Sequence, residues 1–271
     1  MSKRRFLILG RILVVTGVIL AAVILSAGLF LSRQYVVPVL MYHSITPEAH
    51  PDSMLAVSVK TFDRQMRFLK ARHYNVVPLE TLIDLIRQRK KIPRNTVVLT
   101  LDDGYKDNYL YAYPVLKKYG LPATVFIIVN EVGRPQNDRL GWDQILQMQG
   151  SGVINFGSHA IGPDPLIKAD SEKELRHQIF DSKMLLEKRL GRPVEVFSYP
   201  EGMFNHKIRQ MVIDAGYKGA VATNPGPYYP DDDIYALKRL RISENASNMF
   251  VFAVESSGYY TFMKEWKKRK K

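Results

Sequence analysis

The 271-residue sequence contains no cysteine. A disulfide-stapled scaffold, a zinc finger or iron–sulfur site with thiolate ligands, and a thiol nucleophile are therefore excluded. The chain is long enough to bury a full hydrophobic core without such cross-links. Internal repeats and low-complexity linkers are also lacking between residues 36 and 260, as expected for a folded domain.

Acidic residues are absent from residues 1–33, which carry a net charge of +5, and residues 264–271 carry +5 as well. These two ends account for most of the formal net charge of +13, so the body between them is nearly neutral. A nucleic-acid-binding protein would carry its basic residues on the folded surface. The distribution of charge therefore argues against nucleic acid as a partner.

A long apolar run, Ile12–Leu31, follows the basic cluster Lys3–Arg5. About 20 apolar residues in a helix cross the hydrocarbon core of a bilayer, and flanking positive charge stays in the cytoplasm. We therefore expect residues 1–33 to form a basic stub and a transmembrane anchor, with the rest of the chain on the periplasmic or extracellular face. A cleaved signal peptide is the alternative, because small residues occur at 26–28.

Short apolar, β-branched runs alternate with amphipathic segments of helical period along the body of the chain. We predict strands at Val37–His43, Asn75–Pro78, Thr96–Asp102, Ala123–Val129, Ile154–His159, Val194–Tyr199, Gly219–Thr223 and Leu237–Ile242. We predict helices at Thr61–Arg72, Leu79–Arg89, Asn108–Tyr119, Trp142–Gly150, Glu172–Leu190, His206–Ala215 and Ser247–Ser256. This α/β alternation predicts a parallel sheet or a (β/α) barrel, whose active site would lie at the C-terminal ends of the strands.

Polar residues end four of the predicted strands. They are Asp102-Asp103 within Thr100–Gly104, His159 after Gly157-Ser158, the turn Phe197–Gly202, and His43 after Pro38–Tyr42. Two adjacent carboxylates could bind a cation and take up a proton, and the imidazole of His159 suits a neutral ligand. The turn could aim backbone N–H groups at a developing oxyanion. An Asp-Gly pair alone is also ordinary turn chemistry, so the prediction of a site depends on the four segments together.

Over about residues 36–245 the sequence resembles the polysaccharide deacetylase family, carbohydrate esterase family 4. The resemblance lies in Thr100–Asn108, Leu121–Phe126 and Ile213–Tyr217, and Met41-Tyr42-His43 is similar to the subgroup that acts on poly-N-acetylglucosamine. It implies a distorted (β/α) barrel over residues 34–260, after the N-terminal transmembrane helix and before a basic tail at residues 261–271.

The resemblance implies a metal-dependent hydrolase that removes N-acetyl groups from amino sugars of a cell-surface or extracellular polysaccharide. Asp102 would be the general base and His43 the general acid. Asp103 and His159 would bind a divalent metal ion, which would be zinc or else cobalt, manganese or nickel. The residues themselves leave the choice between N-acetyl and O-acetyl groups open.

The second family motif has a further histidine four or five residues after the first, where this sequence has Pro163 and Asp164. Asp164 could be the third ligand beside Asp103 and His159, in a site suited to zinc or manganese. It could equally cap the proline-rich loop in which it lies.

The third family motif has an arginine that is absent here, and Ser198 and Glu201 stand at its polar positions. By resemblance Glu201 would offer its backbone N–H to the oxyanion. Tyr199 and Tyr105 are expected to line the cleft, and Arg241 to orient Asp102 by charge pairing. These departures keep open a second interpretation, a catalytically weak or inactive carbohydrate-binding module on the same scaffold.

Overall fold

The computed structural model describes residues 3–32, 35–134, 138–223 and 233–260. Residues Val37–Ser257 form one compact unit, and helix α1 (Lys3–Ser32) belongs to another. The basic tail predicted at residues 261–271 lies outside the described residues.

Helix α1 exposes the side chains that are described along it, from Val14 to Phe30. Within the described part of the chain, no helix is both long enough and apolar enough to cross a membrane. The transmembrane anchor predicted over residues 1–33 therefore gains no support from the structure.

The unit Val37–Ser257 alternates strands with helices, as the sequence predicts. The strands are β1 Val39–Tyr42, β2 Ser44–Thr46, β3 Ala56–Ser58, β4 Asn75–Val76, β5 Thr96–Leu101, β6 Ala123–Ile127, β7 Ile154–Ser158, β8 Val196–Ser198, β9 Gly219–Ala222, β10 Leu237–Lys238 and β11 Leu240–Arg241. The helices are α2 Val59–Ala71, α3 Leu79–Arg87, α4 Tyr113–Tyr119, α5 Trp142–Gly150, α6 Glu172–Arg176, α7 Ser182–Leu190, α8 His206–Asp214 and α9 Met249–Glu255.

The main sheet is parallel and almost closed on itself. Its strand order is β10-β9-β8-β7-β6-β5-β1-β11, and β4 pairs with the start of β5. Strands β10 and β11 are two halves of one run that breaks at Arg239: the first half pairs with β9 and the second with β1. One run thus joins the two edges of the sheet, which confirms the predicted (β/α) barrel.

Helix α3 fills the barrel below the strand ends. Its residues Leu79, Leu82 and Ile83 form one apolar cluster with residues that six strands contribute, namely Val39, Val98, Phe126, Val196, Val221 and Leu237. Strands β1, β5 and β6 are buried along their whole length, as expected of parallel strands covered on both faces.

The structure departs from the sequence prediction in local detail. The helices predicted at Asn108–Tyr119 and Glu172–Leu190 contain π-helical turns, at Asn108–Ala112 and His177–Asp181. Strands β2 and β3 form a separate parallel pair that was not predicted. They are three residues long, which is too short for an alternating pattern to be read from sequence.

Candidate active site

A cleft of about 370 Å³ opens at the C-terminal end of the barrel. Its lining comes from the strand ends, with His43 after β1, Asp102 and Asp103 after β5, Ile128 after β6, His159 after β7, Tyr199 and Glu201 after β8, Thr223 after β9, and Arg241 on β11. The four polar segments that the sequence singles out therefore meet in one place.

Asp102 is held by a buried arginine at the base of this cleft. Arg239 donates from Nη1 to Oδ1 and from Nη2 to Oδ2 of Asp102, both at 2.6 Å. The same guanidinium donates to Thr100 Oγ1 at 3.2 Å and to Ser198 Oγ at 2.9 Å. Only 3% of Asp102 and 4% of Arg239 is exposed. A forked pair of this kind fixes both the position and the orientation of a carboxylate.

The charge of Asp102 follows from this pairing. Burial raises the pKa of a carboxyl group, but here the charges of Arg239 and then His159, with the Arg239 hydrogen bonds, outweigh burial and lower the pKa of Asp102 to about 2. Asp102 is therefore ionised at neutral pH, as a proton acceptor must be.

The prediction that Arg241 orients Asp102 was wrong, because Arg239 has this position. Arg241 is exposed and lies on the rim of the cleft. Both residues fall in the same strand run, but Arg241 pairs with Met41 at the end of β1, whereas Arg239 lies two residues deeper in the barrel. From there its long side chain reaches Asp102.

His159 is oriented by a main-chain acceptor. Its Nδ1 lies 2.7 Å from the carbonyl oxygen of Ser198. A carbonyl oxygen can only accept, so Nδ1 carries a proton, and loss of the second proton from Nε2 leaves a lone pair there for a metal ion. Nε2 lies 3.5 Å from Asp103 Oδ1 and 3.8 Å from Asp102 Oδ2. A histidine anchored through one ring nitrogen with the other free is typical of a metal ligand.

The strand ends are strained where they turn into this cleft. Asp103, Ala160 and Glu201 adopt positive φ angles of 67°, 64° and 55°. Residues with a Cβ rarely adopt such angles, which cost about 1–3 kcal/mol each and cluster at functional sites. Each of the three follows its strand by two or three residues, so the strain lies where the chain leaves the barrel at the site.

The floor of the site depends on the absence of a side chain at Gly157. A Cβ there would lie 2.5 Å from the ring of Phe126. That ring packs 5.5 Å from the guanidinium carbon of Arg239 and 6.4 Å from the ring of His159, measured to the ring centre. Gly157 thus lets an aromatic ring support both residues.

His43 approaches the cleft from β1, beside β5. Its Nδ1 is buried and has no hydrogen-bond partner among the described residues. Burial lowers the pKa of His43, the charges of Asp102 and Asp103 oppose this shift, and Arg239 and His159 add to it. A protonated ring with a lowered pKa is a stronger acid than an ordinary imidazolium.

Two donors for a metal ion come together in the cleft, but the predicted third does not. Asp103 and the free Nε2 of His159 have the chemistry that a divalent ion requires. Asp164 is exposed and does not line the cleft formed by the described residues. Across residues 3–32, 35–134, 138–223 and 233–260, no group of three His, Asp or Glu side chains is arranged to hold a metal ion.

A second arginine, Arg139, lines the cleft and was not identified from the sequence. Its guanidinium carbon lies 3.9 Å from the ring centre of Tyr105, and its Nε is buried without a hydrogen-bond partner among the described residues. A short antiparallel bridge fixes the stack, because Leu140 N donates to Gly104 O and Lys106 N donates to Asp138 O. Tyr105, which was predicted to line the cleft, is not one of its lining residues in the described part of the chain. Arg139, which stacks on the Tyr105 ring, lines the cleft instead.

The other predicted lining residues reach the cleft in different ways. Tyr199 lines it, but its ring is fully buried, stacks on Phe204 at 4.2 Å and donates its hydroxyl to Tyr235 O. Glu201 lies exposed on the cleft wall. Tyr199 is therefore mainly part of the wall, and Glu201 is more accessible to a bound substrate.

Comparison with known proteins relates this chain to the polysaccharide deacetylases. The family model described as polysaccharide deacetylase matches residues 89–220. Asp102, Asp103, His159 and Glu201 fall inside the match, whereas His43 and Arg239 fall outside it.

Individual relatives cover more of the chain. The Bacillus subtilis protein YxkH, whose name assigns it as a polysaccharide deacetylase, is 34% identical over 82% of this chain and 77% of its own. A poly-β-1,6-N-acetyl-D-glucosamine N-deacetylase of Staphylococcus aureus is 26% identical over 70% of this chain and 69% of its own. The structure of the Streptococcus pyogenes deacetylase PplD in complex with acetate matches with a TM-score of 0.72 and 28% identity, covering 80% of this chain and 97% of that one.

Proposed function

Because this chain belongs to the polysaccharide deacetylase family, we propose that it hydrolyses the acetamide groups of N-acetylated amino sugars in a polysaccharide. The observation that carries this proposal is the meeting of an ionised, arginine-held carboxylate with two imidazoles in one cleft. The Staphylococcus aureus relative, named for poly-N-acetylglucosamine, supports N-acetyl rather than O-acetyl groups as the target.

The metal belongs to the same proposal. A divalent ion, zinc or else cobalt, manganese or nickel, would be held by Asp103 and His159, and would polarise the acetyl carbonyl and acidify a neighbouring water molecule. The hydrogen bond from His159 to Ser198 O keeps Nε2 free for this role.

Side chains of the protein carry out the two proton transfers of the reaction. Asp102 accepts a proton from the water whose oxygen adds to the acetyl carbon. The backbone N–H of Glu201 donates to the oxygen that gains negative charge. When the carbon–nitrogen bond breaks, His43 donates its proton to the leaving nitrogen, and the products are acetate and a free amine.

Acetate release tests this function. The purified protein, stripped with a chelator and then supplied with zinc, cobalt, manganese or nickel, is incubated with β-1,6-linked and β-1,4-linked N-acetylglucosamine oligomers and with an O-acetylated xylan. We expect acetate from an N-acetylglucosamine oligomer and loss of activity on chelation. A folded protein that releases no acetate with any metal, yet binds the oligomers, would instead be a carbohydrate-binding module.

Arg139 is proposed to contact the substrate, because it lines the cleft and its guanidinium is fixed on the ring of Tyr105. Arg139→Met removes the charge but keeps an unbranched apolar stem. We expect KM for the oligomer to rise about 5- to 10-fold with kcat changed less than about threefold, the pattern of lost ground-state binding. Steady-state kinetics measures both constants.

Arg134→Met is the matched control, because Arg134 pairs with Glu131 and does not line the described cleft. It removes the same charge and should leave KM unchanged. A fall in kcat at constant KM for Arg139→Met would contradict a binding role.

An extracytoplasmic location is also a proposal, and its support is the sequence pattern of Lys3–Arg5 followed by the apolar run Ile12–Leu31. We propose that residues 1–33 attach the protein to the membrane with residues 34–260 outside the cytoplasm. Protease treatment of intact cells should degrade the domain while a cytoplasmic marker survives. A domain protected until the cells are lysed would contradict this location.

A further inference from the structure

The loop that carries Asp102 and Asp103 also holds the main chain around His43. Asn108 is fully buried, and its Nδ2 donates to the carbonyl oxygen of His43 at 2.8 Å. The same amide donates to Asp107 Oδ1 at 2.8 Å. One side chain from this loop is thus fixed directly on the residue proposed to protonate the leaving group.

Asp107 holds the next two residues. Its Oδ2 accepts a short hydrogen bond from Ser44 Oγ, and the backbone N–H of Ile45 donates to the same carboxylate. Asp107 is 9% exposed, so these bonds are shielded from water and stronger than exposed ones. Asp107 and Asn108 together bind three consecutive residues of the segment that leaves β1.

A further bond ties the two segments at the level of the site. Asp102 N donates to Tyr42 O at 2.9 Å, one residue before His43. The chain then turns through Gly104 and starts a π-helical turn at Asn108, and such turns are frequent at functional sites. The segment 102–108 therefore contacts the end of β1 on both sides of His43.

The ring of His43 lacks a side-chain anchor of its own among the described residues, since its buried Nδ1 has no hydrogen-bond partner there. His159, by contrast, is held through its ring by Ser198 O. The His43 ring is consequently positioned through its main chain, which Asp107 and Asn108 hold on one side and the Asp102–Tyr42 hydrogen bond holds on the other.

We propose that Asp107 and Asn108 are positioning residues. They hold the proton donor His43 in a fixed position relative to the proton acceptor Asp102. This inference depends on the proposed function, in which His43 protonates the leaving amine. Small displacements of a catalytic group cost rate rather than binding, by up to about 100-fold for 1 Å.

The test is Asn108→Ala in the full-length, metal-supplied protein. On N-acetylglucosamine oligomers we expect kcat to fall about 10-fold with KM changed less than about twofold. The loss on 4-nitrophenyl acetate should be less than about twofold, because its phenolate leaves without a proton and needs no acid. A loss that depends on the leaving group distinguishes a misplaced acid from a general weakening of the fold.

A second background sharpens the test. In a protein that already carries His43→Ala, Asn108→Ala should lower the remaining activity on the oligomer by less than about twofold. If Asn108 acts only through His43, its substitution has no further effect once the acid is gone, so the effects of the two substitutions are not additive. The matched control is Asn155→Ala, which removes an asparagine bonded to Glu80 through its side chain at 3.2 Å and should leave kcat unchanged. Thermal unfolding checks that each variant is folded.

Equal losses on the oligomer and the aryl ester, or losses that multiply in the His43→Ala background, would overturn the inference. So would a folded Asn108→Ala protein with wild-type kcat. These outcomes leave the proposed function standing, since the wild-type protein still releases acetate. Absence of acetate from the wild-type protein would contradict the proposed function and this inference with it.

Discussion

Replacing Arg239 with methionine is expected to lower the free energy of unfolding by about 3–5 kcal/mol, the usual cost of removing one partner of a buried ion pair. The substitution leaves Asp102, 3% exposed, without the guanidinium that donates to both of its oxygens. Burial then raises the pKa of Asp102, and the carboxylate loses its fixed orientation. We expect acetate release to fall by about 100-fold or more.

Denaturant unfolding and the acetate assay measure the two effects. Arg239→Lys keeps the charge but not the planar fork, so it should fall between wild type and Arg239→Met in both measurements. Arg241→Met is the matched control, because Arg241 is exposed, and it should change stability by less than about 0.5 kcal/mol. If Arg239→Met unfolds like the wild-type protein, the ion pair is not what holds Asp102.

The stability from this pair should depend on pH in a defined direction. A carboxyl group whose pKa is lowered on folding contributes stability that is fully present above its unfolded pKa of about 4 and is lost as pH falls through the folded value. The folded pKa of Asp102 is about 2. Because burial raises the pKa of Asp102 in Arg239→Met, the difference in stability between wild type and this variant should be constant only above that raised pKa. It should shrink as pH falls below it and continue to shrink between about pH 4 and 2, where the wild-type protein loses the contribution of the pair.

Asp102→Asn is expected to lower kcat by about 1,000-fold with little change in KM. The amide has nearly the same size and can still accept from Arg239 through its oxygen, but it cannot take a proton from water. Asp103 and His159 are unchanged, so metal content should stay at the wild-type level. Single-turnover acetate release and metal analysis of the same preparation separate lost chemistry from a lost ion.

Asp103→Ala provides the contrast. It removes one of the two proposed donors, so bound metal should fall together with activity, whereas Asp102→Asn should lose activity alone. Loss of metal in both variants would mean that Asp102 is a ligand rather than the base. Retention of more than about a tenth of the activity by Asp102→Asn would show that another group accepts the proton.

The position of the site was predictable from the sequence because of a property of parallel strands. Polar residues that directly follow buried strands must meet at one end of a barrel, and His43, Asp102 and His159 do so. The alternation of strand and helix patterns predicted a parallel sheet or a (β/α) barrel, and the family resemblance implied the barrel. Neither prediction required knowledge of individual side-chain contacts.

The partners of these residues were not predictable in the same way. The alternating pattern of the run Leu237–Arg241 places Arg239 and Arg241 on the same face of the strand. It does not show how deep in the barrel each arginine lies, and this depth decides which of the two reaches Asp102. Arg139 reaches the cleft through a short antiparallel bridge to Tyr105, and such a bridge has no periodic signal. Asn108 bonds to a carbonyl 65 residues away in sequence, a contact that only the folded topology creates.

The most direct test of the account is the simultaneous measurement of acetate and free amine produced from N-acetylglucosamine oligomers by the metal-supplied wild-type protein, with Asp102→Asn in parallel. We expect equal amounts of the two products from the wild-type protein and almost none from the variant. Equal rates for the two proteins, or a folded wild-type protein that yields neither acetate nor amine, would contradict it.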